Sequence, residues 1–314
     1  MINEDILAKL SPISDEERAI LSGGGVDKSL YTTGDAVIRH KKLLSDGELI
    51  RTRVHTRFAH FPPHTHDYIE GVYMCRGQTE HIVGGRKILL KEGELLFLGQ
   101  SVVQEILPAG EGDVAVNFII RPEFFSKTLE VMGAEDSPIK SFLLRTLFEG
   151  QNQGYLHFEV AGVLPVQNLV ENLIWTLTSP TGNGKNTNEI TMALLFMELL
   201  NHTDRLAYVV REDRAVMQIF GYIEKNYRNG TLREAASLLH YDFYWLSREI
   251  KNRTGKTYTE HLQQIRLARA AHLLKSTSLS VEEVALAVGY ENKSYFHRIF
   301  AARFGVSPKK YRSK

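Results

Sequence analysis

SVEEVALAVGYENKSYFHRIFAARFG, Ser280 to Gly305, decides the reading of this chain, because TLREAASLLHYDFYWLSREIKNRTG, Thr231 to Gly255, repeats its plan about fifty residues earlier. Each copy opens on a residue that can cap a helix, Thr231 or Ser280, with an acid three positions on, Glu234 or Glu283. That spacing lets each side chain satisfy the other's backbone N–H and predicts a helix start. A small or apolar face follows, including Ala236 and Ala285, then a turn ending at Tyr241 or Tyr290. The second copy has one extra residue between that tyrosine and the next aromatic. Next come an aromatic (Trp245, Tyr295), a large apolar residue (Leu246, Phe296), an arginine (Arg248, Arg298), another apolar residue (Ile250, Phe300) and a closing glycine (Gly255, Gly305). Each copy therefore reads as a capped short helix, a tight turn and a second helix: the helix-turn-helix unit that sets its second helix in a DNA major groove.

Helical spacing sorts the second helix of each copy into two faces. Phe296, Ile299 and Phe300 face inward in the later copy, which leaves Asn292, Lys293, Ser294, His297 and Arg298 outward. In the earlier copy Leu246 and Ile250 face inward and Tyr244, Ser247, Arg248 and Lys251 outward. Arginine can grip guanine O6 and N7 with two bonds, while Lys and Ser suit phosphate. Between the copies, YTEHLQQIRLARAAHLLKS (258–276) carries Leu262, Ile265, Ala268 or Arg269, and Leu273 at helical intervals. A helix of that length spans roughly 28 Å, close to the ~34 Å of one DNA turn, so one chain could read two successive groove segments.

Charge divides at the same place. Residues 211–314 hold 19 Lys and Arg against 10 Asp and Glu, a net of +9, whereas the remainder holds 19 against 27, a net of −8. A basic third beside acidic two-thirds suits a polyanion-binding module joined to one that does not bind polyanions.

Upstream, from about Arg39 to Arg121, the text reads as short strands: LIRTRVHTRF, YIEGVYMCR, TEHIVGGRKILL, GELLFLG and DVAVNFIIR. VGGR predicts a tight hairpin turn. Val114, Val116, Phe118 and Ile120 alternate with Ala115, Asn117 and Ile119, so several antiparallel strands should close into a small barrel or sandwich. After Pro122 the period becomes helical. Val166, Leu169, Val170, Leu173 and Leu177 trace one helix face and Ile190, Ala193, Met197 and Leu200 another, a hairpin whose outer face is a candidate dimer seam. We place the domain boundary after this hairpin: 1–205 for effector sensing and dimerisation, 206–314 for DNA binding, with helix-turn-helix units at about 231–254 and 280–304.

At 314 residues, 43% hydrophobic and 24% charged, the composition is that of a soluble protein of two domains. The single cysteine, Cys75, excludes an intrachain disulfide and a cysteine-rich zinc site. No secretory start or membrane-length apolar run is present, so a cytoplasmic protein with no membrane partner is expected.

The stretch from about Arg214 to Arg312, above all VEEVALAVGYENKSYFHRIFAARFGVSPKKYR, resembles the DNA-binding domain of AraC/XylS-type transcription regulators. The resemblance implies that Arg266 ties the connecting helix to its neighbours. It also implies base-contacting positions at Tyr244, Ser247, Arg248 and Lys251 and at Asn292, Lys293, His297 and Arg298. Glu249 and Ile250 depart from the second unit's Ile299 and Phe300, and Asp242 sets an acid near DNA.

HTHDYIEGVYMCRG (64–77) places His64, His66 and Glu70 on one face of a strand, where they could converge on a ligand. The pattern resembles the first motif of the cupin barrel. The second motif departs, with Lys91 at the usual Pro, Leu96 at the usual His, Gln100 near the usual Asn, and Gln104 where many such sensors have His. We therefore read His64, His66 and Glu70 as effector-binding, with no metal, no cofactor and no catalytic residue. Arg51, Arg53, His55 and Arg57 alternate on one strand face; buried unpaired, they would imply an anionic effector, but exterior exposure is the expectation.

The fold class expected is α+β multidomain: an N-terminal antiparallel, cupin-like β-barrel with a helical hairpin, then an all-α domain with two helix-turn-helix units. The function expected is a sequence-specific transcription regulator, not an enzyme, controlled by a small-molecule effector. Its partners are double-stranded DNA, a second copy of itself, and RNA polymerase as a candidate. A metal-dependent cupin enzyme fused to a DNA-binding domain is the alternative.

Overall fold

Gly84 and Gly85 take φ of 55° and 78°, the left-handed pair that a two-residue hairpin needs, and Val83 pairs with Arg86 across them. The structure is a computed structural model describing residues 2–132, 137–148, 154–179, 184–208 and 214–313. It forms two compact units, Met1–Phe142 with Gln151–Val210, and Leu143–Gly150 with Arg211–Lys314.

Among the described residues the first unit has strands β1 (Val37–Ile38), β2 (Ile50–Val54), β3 (Phe61–His66), β4 (Ile69–Arg76), β5 (Gln78–Val83), β6 (Arg86–Lys91), β7 (Leu95–Leu98), β8 (Gln104–Ile106), β9 (Val114–Ile120), β10 (Tyr155–Phe158) and β11 (Leu206–Tyr208). They form a five-stranded sheet, β1-β3-β8-β5-β6, and a six-stranded sheet, β11-β10-β7-β4-β9-β2. Every pairing is antiparallel except β1 with β3.

Val72, Met74, Leu96 and Leu98 of the larger sheet pack with Val83, Ile88 and Leu90 of the smaller one. The other face of the larger sheet lies under the helical hairpin Leu164–Thr178 and Gly184–Leu200: Tyr73 donates to Gln167 (2.6 Å), and the Phe97 and Phe196 rings are 5.0 Å apart. With both faces covered, β9 is buried at every position but Asn117, so the expected alternation of exposure is absent there. The expected strand carrying His64, His66 and Glu70 is also two strands. β3 ends at His66, β4 begins at Ile69, and Glu70 belongs to the opposite sheet.

In the second unit the local signals hold. Thr231 with Glu234, Thr257 with Glu260, and Ser280 with Glu283 all form reciprocal capping boxes. Helices run Leu232–Leu238, Phe243–Thr254, Tyr258–Ser276, Val281–Ala287 and Lys293–Phe304. Gly255 and Gly305 end the two long second helices at φ 72° each, the left-handed stop that favours glycine. The connecting helix Tyr258–Ser276 is buried on more than the expected stripe. Leu267, Ala270, Ala271 and Leu274 pack on Val284, Phe296 and Phe300, while His261 and Ile265 are buried as well. It serves two cores at once, so a single-face pattern cannot describe it. Phe148 stacks on Phe220 at 4.7 Å within this unit, and His261 Nδ1 donates to the Phe148 carbonyl (3.0 Å).

Arg266 Nε and Nη2 donate to the carbonyls of Tyr227 (2.6 Å) and Arg228 (2.7 Å), the tie the resemblance implied. Gly289, at φ 88°, sits against that tie: a Cβ there would stand 2.5 Å from the Arg228 oxygen and 3.1 Å from Arg266 Cζ. Gly289→Ala is therefore expected to cost about 2 kcal/mol, read as a lower urea midpoint for the unfolding of residues 211–314.

Candidate nucleic-acid interface and effector cavity

Two faces of the second unit carry the predicted DNA contacts. Leu246, Ile250, Phe296 and Phe300 are fully buried, which fixes how each helix rolls and turns the predicted residues away from the core. Tyr244, Arg248 and Lys251 are exposed and Ser247 is half-buried; Asn292, Lys293 and Arg298 are exposed and His297 is half-buried. Arg248 and Arg298 occupy the same position, the sixth, of helices Phe243–Thr254 and Lys293–Phe304. The Arg298 guanidinium lies 5.3 Å over the Tyr295 ring, which limits its rotamers. Asp242 and Asn292 have a structural task besides: each accepts the third backbone N–H of its helix, from Trp245 (2.8 Å) and from Tyr295 (2.9 Å). The acid that looked misplaced near DNA is a helix cap.

In the first unit, His64, His66 and Glu70 meet although they come from two sheets. The His64 and His66 rings are 5.0 Å apart, and His66 Nε2 lies 3.8 Å from Glu70 Oε2. All three are buried. His64 and Glu70 line a cavity with Tyr31, Arg53, His55 and Asn117. A wider cleft, enclosed by Lys28–Ala36 and Pro62–Pro63, shares Tyr31, Ile38, Phe61 and His64 with it.

Of the four residues expected on one exposed strand face, His55 and Arg57, just past the end of β2 at Val54, turn inward, whereas Arg51 on β2 stays partly exposed and pairs with Glu48 (2.6 Å). Arg57 is 1% exposed, as is its partner Glu17, whose carboxylate takes the Arg57 Nε (2.7 Å), Nη2 (2.9 Å) and backbone N–H (3.0 Å). Arg53 is half-buried, pairs with Glu16 and lies 4.4 Å over the Tyr31 ring. The partners sit on helix Asp15–Leu21 and its capping box; the condition for an anionic effector, unpaired guanidinium, is not met.

Burial holds His55, His64, His66 and His81 below the ordinary imidazole range. Burial also raises the Glu70 carboxyl to about 7, against a hydrogen bond from Asn117 that favours the anion. A folded value above the unfolded 4.5 means that Glu70 stabilises the fold below pH ~4.5 relative to higher pH and loses that contribution as pH rises through about 7. Glu70→Gln should therefore raise stability at pH 8 by about 1–2 kcal/mol and change it little at pH 4.5, measured by urea unfolding at both values. Among the described residues no group of three His, Cys, Asp or Glu is arranged to hold a metal, and no helix is long and apolar enough to cross a membrane.

The profile of the AraC-like ligand binding domain matches residues 47–200, and that of a helix-turn-helix domain matches residues 235–314. The chain belongs to the AraC family. The HTH-type transcriptional activator RhaR of Yersinia pseudotuberculosis serotype O:3 is 22% identical over 266 residues, 81% of this chain and 85% of the relative. The C-terminal domain of AraT, a response regulator from Geobacillus stearothermophilus, is 37% identical, with 33% of this chain and 88% of that chain covered and a TM-score of 0.32. Unsaturated fatty acid bound ToxT from Vibrio cholerae is 15% identical, with 84% and 94% covered and a TM-score of 0.37.

This AraC-family chain is thus a transcription regulator with a ligand-binding, sheet-rich domain ahead of a helix-turn-helix domain. The barrel residues that the sequence reading did not assign are His81, Gln104 and Asn117, together with His55, which it left on an outer face. Asn117 had a signal: it is the one polar residue in VAVNFII. Gln104 had one too, standing where many such sensors have His; His81 had none beyond residue type, since its meeting with Gln104 depends on β5 pairing with β8.

Proposed function

We propose that this AraC-family regulator reads DNA through Tyr244, Ser247, Arg248 and Lys251 of one helix and Asn292, Lys293, His297 and Arg298 of the other. The two helices enter successive major-groove segments. The observation that carries this reading is the pair of helices with like-placed buried anchors and like-placed exposed arginines, in a third of the chain with a net charge of +9. Residues 206–314 are the DNA-binding part, and residues 1–205 sense an effector at His64, His66 and Glu70. The protein acts in the cytoplasm, without catalysis, on double-stranded DNA and with RNA polymerase as its further partner. Selection from a random duplex pool tests it: two conserved elements about 10 base pairs apart should be recovered, and recovery of no motif would reject sequence-specific reading.

The working form is a homodimer. Ile190, Leu194 and Met197 recur along one stripe of helix Gly184–Leu200 and are 52%, 53% and 37% exposed, more apolar surface than an isolated helix leaves to water without a reason. Leu194→Glu is expected to convert a dimer to a monomer in sedimentation, with the fold unchanged by circular dichroism; a monomeric unsubstituted protein at micromolar concentration would refute the seam.

A further inference from the structure

Hydrogen-bond directions inside the barrel can be worked out from its amides. Asn117 Nδ2 donates to Glu70 Oε1 (2.8 Å), so its Oδ1 can only accept. That oxygen lies 3.0 Å from His55 Nδ1. His55 therefore carries its proton on Nδ1 and presents a lone pair at Nε2, a buried atom with no partner. The Pro62 carbonyl, 2.8 Å from His64 Nδ1, fixes the same tautomer there. Gln104 Nε2, 3.0 Å from His81 Nδ1, must donate, which leaves Gln104 Oε1 as another buried acceptor without a partner. Glu70 Oε2 is a third, and both ring nitrogens of His66 beside it are unpartnered as well. His66 supplies one donor and one lone pair. Of the residues with these unmet groups, His55 and Glu70 line the cavity, and each has an acceptor to offer.

The cations offer an anion nothing in return. Arg53, the guanidinium lining the cavity, is paired with Glu16, and Arg57 is enclosed by Glu17 and three backbone carbonyls. A carboxylate ligand, acceptor only, would face a lone pair at His55 and a like-charged group at Glu70. Ligand hydroxyl or amine groups would meet those same atoms as donors.

We infer that the barrel cavity recognises a small molecule by the hydrogen bonds the molecule donates, to His55 Nε2 and Glu70 Oε2 first, and discriminates against carboxylates. The inference rests on the reading of the barrel as the effector sensor and narrows it to neutral or ammonium-bearing hydroxyl compounds. The cavity, about 40 Å3, has room for roughly three water-sized groups, the scale of a three-carbon probe.

The sign of the pH dependence is a second consequence. A donating ligand favours ionised Glu70, so its affinity rises as pH climbs through about 7 and levels off above; an anion would show the reverse. The other ionisable groups facing Glu70 are displaced from that range or held in an ion pair. Burial lowers His55, His64 and His66, burial raises Tyr31 and Tyr68, and Arg53 is salt-bridged to Glu16.

Glycerol, 2-amino-1,3-propanediol and glycerate share three carbons and differ in charge. Added to the full chain labelled with 15N-histidine, glycerol and the aminodiol should shift the ring nitrogens of His55 and His64, the two histidines that line the cavity. Glycerate should bind about tenfold more weakly at pH 8, the scale of one buried acceptor left unmet. Glycerol affinity should increase between pH 6 and pH 8, and Glu70→Gln, which keeps the Asn117 bond, should remove that increase. Glycerate binding as tightly as glycerol would overturn the ligand class while leaving the barrel a sensor. Silence of those nitrogens toward all three probes at molar concentration would overturn both.

Discussion

Glu17→Ala is expected to destabilise the N-terminal unit by about 3–5 kcal/mol, the scale for removing one partner of a buried ion pair. Arg57 and Glu17 are each 1% exposed, so water cannot replace the lost carboxylate. Arg57 would keep its bonds to the carbonyls of Ser11, Pro12 and Glu111, but its charge would be uncompensated. Ser14 would also lose the acceptor of its backbone N–H (2.8 Å), and with it the capping box of helix Asp15–Leu21. Glu17→Gln separates the two effects, because its one remaining oxygen can still accept from the Ser14 N–H of the cap, while the charge and the second acceptor for Arg57 are lost. Burial alone would raise the Glu17 carboxyl, but the bonds from Arg57 and from two backbone N–H groups outweigh it and hold the group at about 2, below its ordinary 4.5. A depressed carboxyl stabilises above its unfolded value and loses that contribution as pH falls toward the folded one. The gap between the unsubstituted protein and Glu17→Gln should therefore be full at pH 7 and shrink between pH 4.5 and pH 2, read by urea unfolding. Equal stability at pH 7 would mean that Arg57 is solvated. The double replacement Glu17→Leu with Arg57→Met should cost less than Glu17→Ala, since it leaves no buried charge.

The same pair marks where sequence reading stops. The helix-turn-helix units were legible because their determinants are local: a capping acid three residues away, a glycine at a left-handed stop, anchors at helical spacing. Glu17 and Arg57 stand forty residues apart, and nothing near Arg57 announces its partner; a prior for exposed arginines then points Arg57 the wrong way. Strand β9 misled for a related reason. Alternating burial requires one wet face, and the helical hairpin removes it. His64, His66 and Glu70 were correctly grouped on wrong grounds, as one strand face, when the chain breaks at Asp67–Tyr68 and returns in the other sheet. Proximity in sequence survived that break because a tight connection keeps both strand ends at one end of the barrel. His81 and Gln104 had no such help, being brought together by β5–β8 pairing across twenty-three residues.

Arg248→Ala and Arg298→Ala should each weaken operator binding by about 1–3 kcal/mol, roughly five- to 150-fold, and relax sequence preference at one element of the site each. Both side chains leave the sixth position of a helix whose roll is set by two fully buried anchors, so alanine removes the contact without moving the helix, and its high helix propensity keeps the backbone. If the two contacts act on separate groove segments, the double variant should lose nearly the sum of the single losses. Lys251→Ala makes the contrast. A phosphate contact carries no sequence information, so its loss should weaken all duplexes alike and reduce the slope of log affinity against log salt by about one. Arg298→Lys keeps the charge but not the two-pronged geometry, and should resemble alanine in specificity while resembling the unsubstituted protein in salt slope. Anisotropy titrations at fixed salt, on the selected operator and on a scrambled duplex, separate these outcomes. Unchanged affinity and unchanged preference in both single arginine variants would place the reading face elsewhere on the molecule.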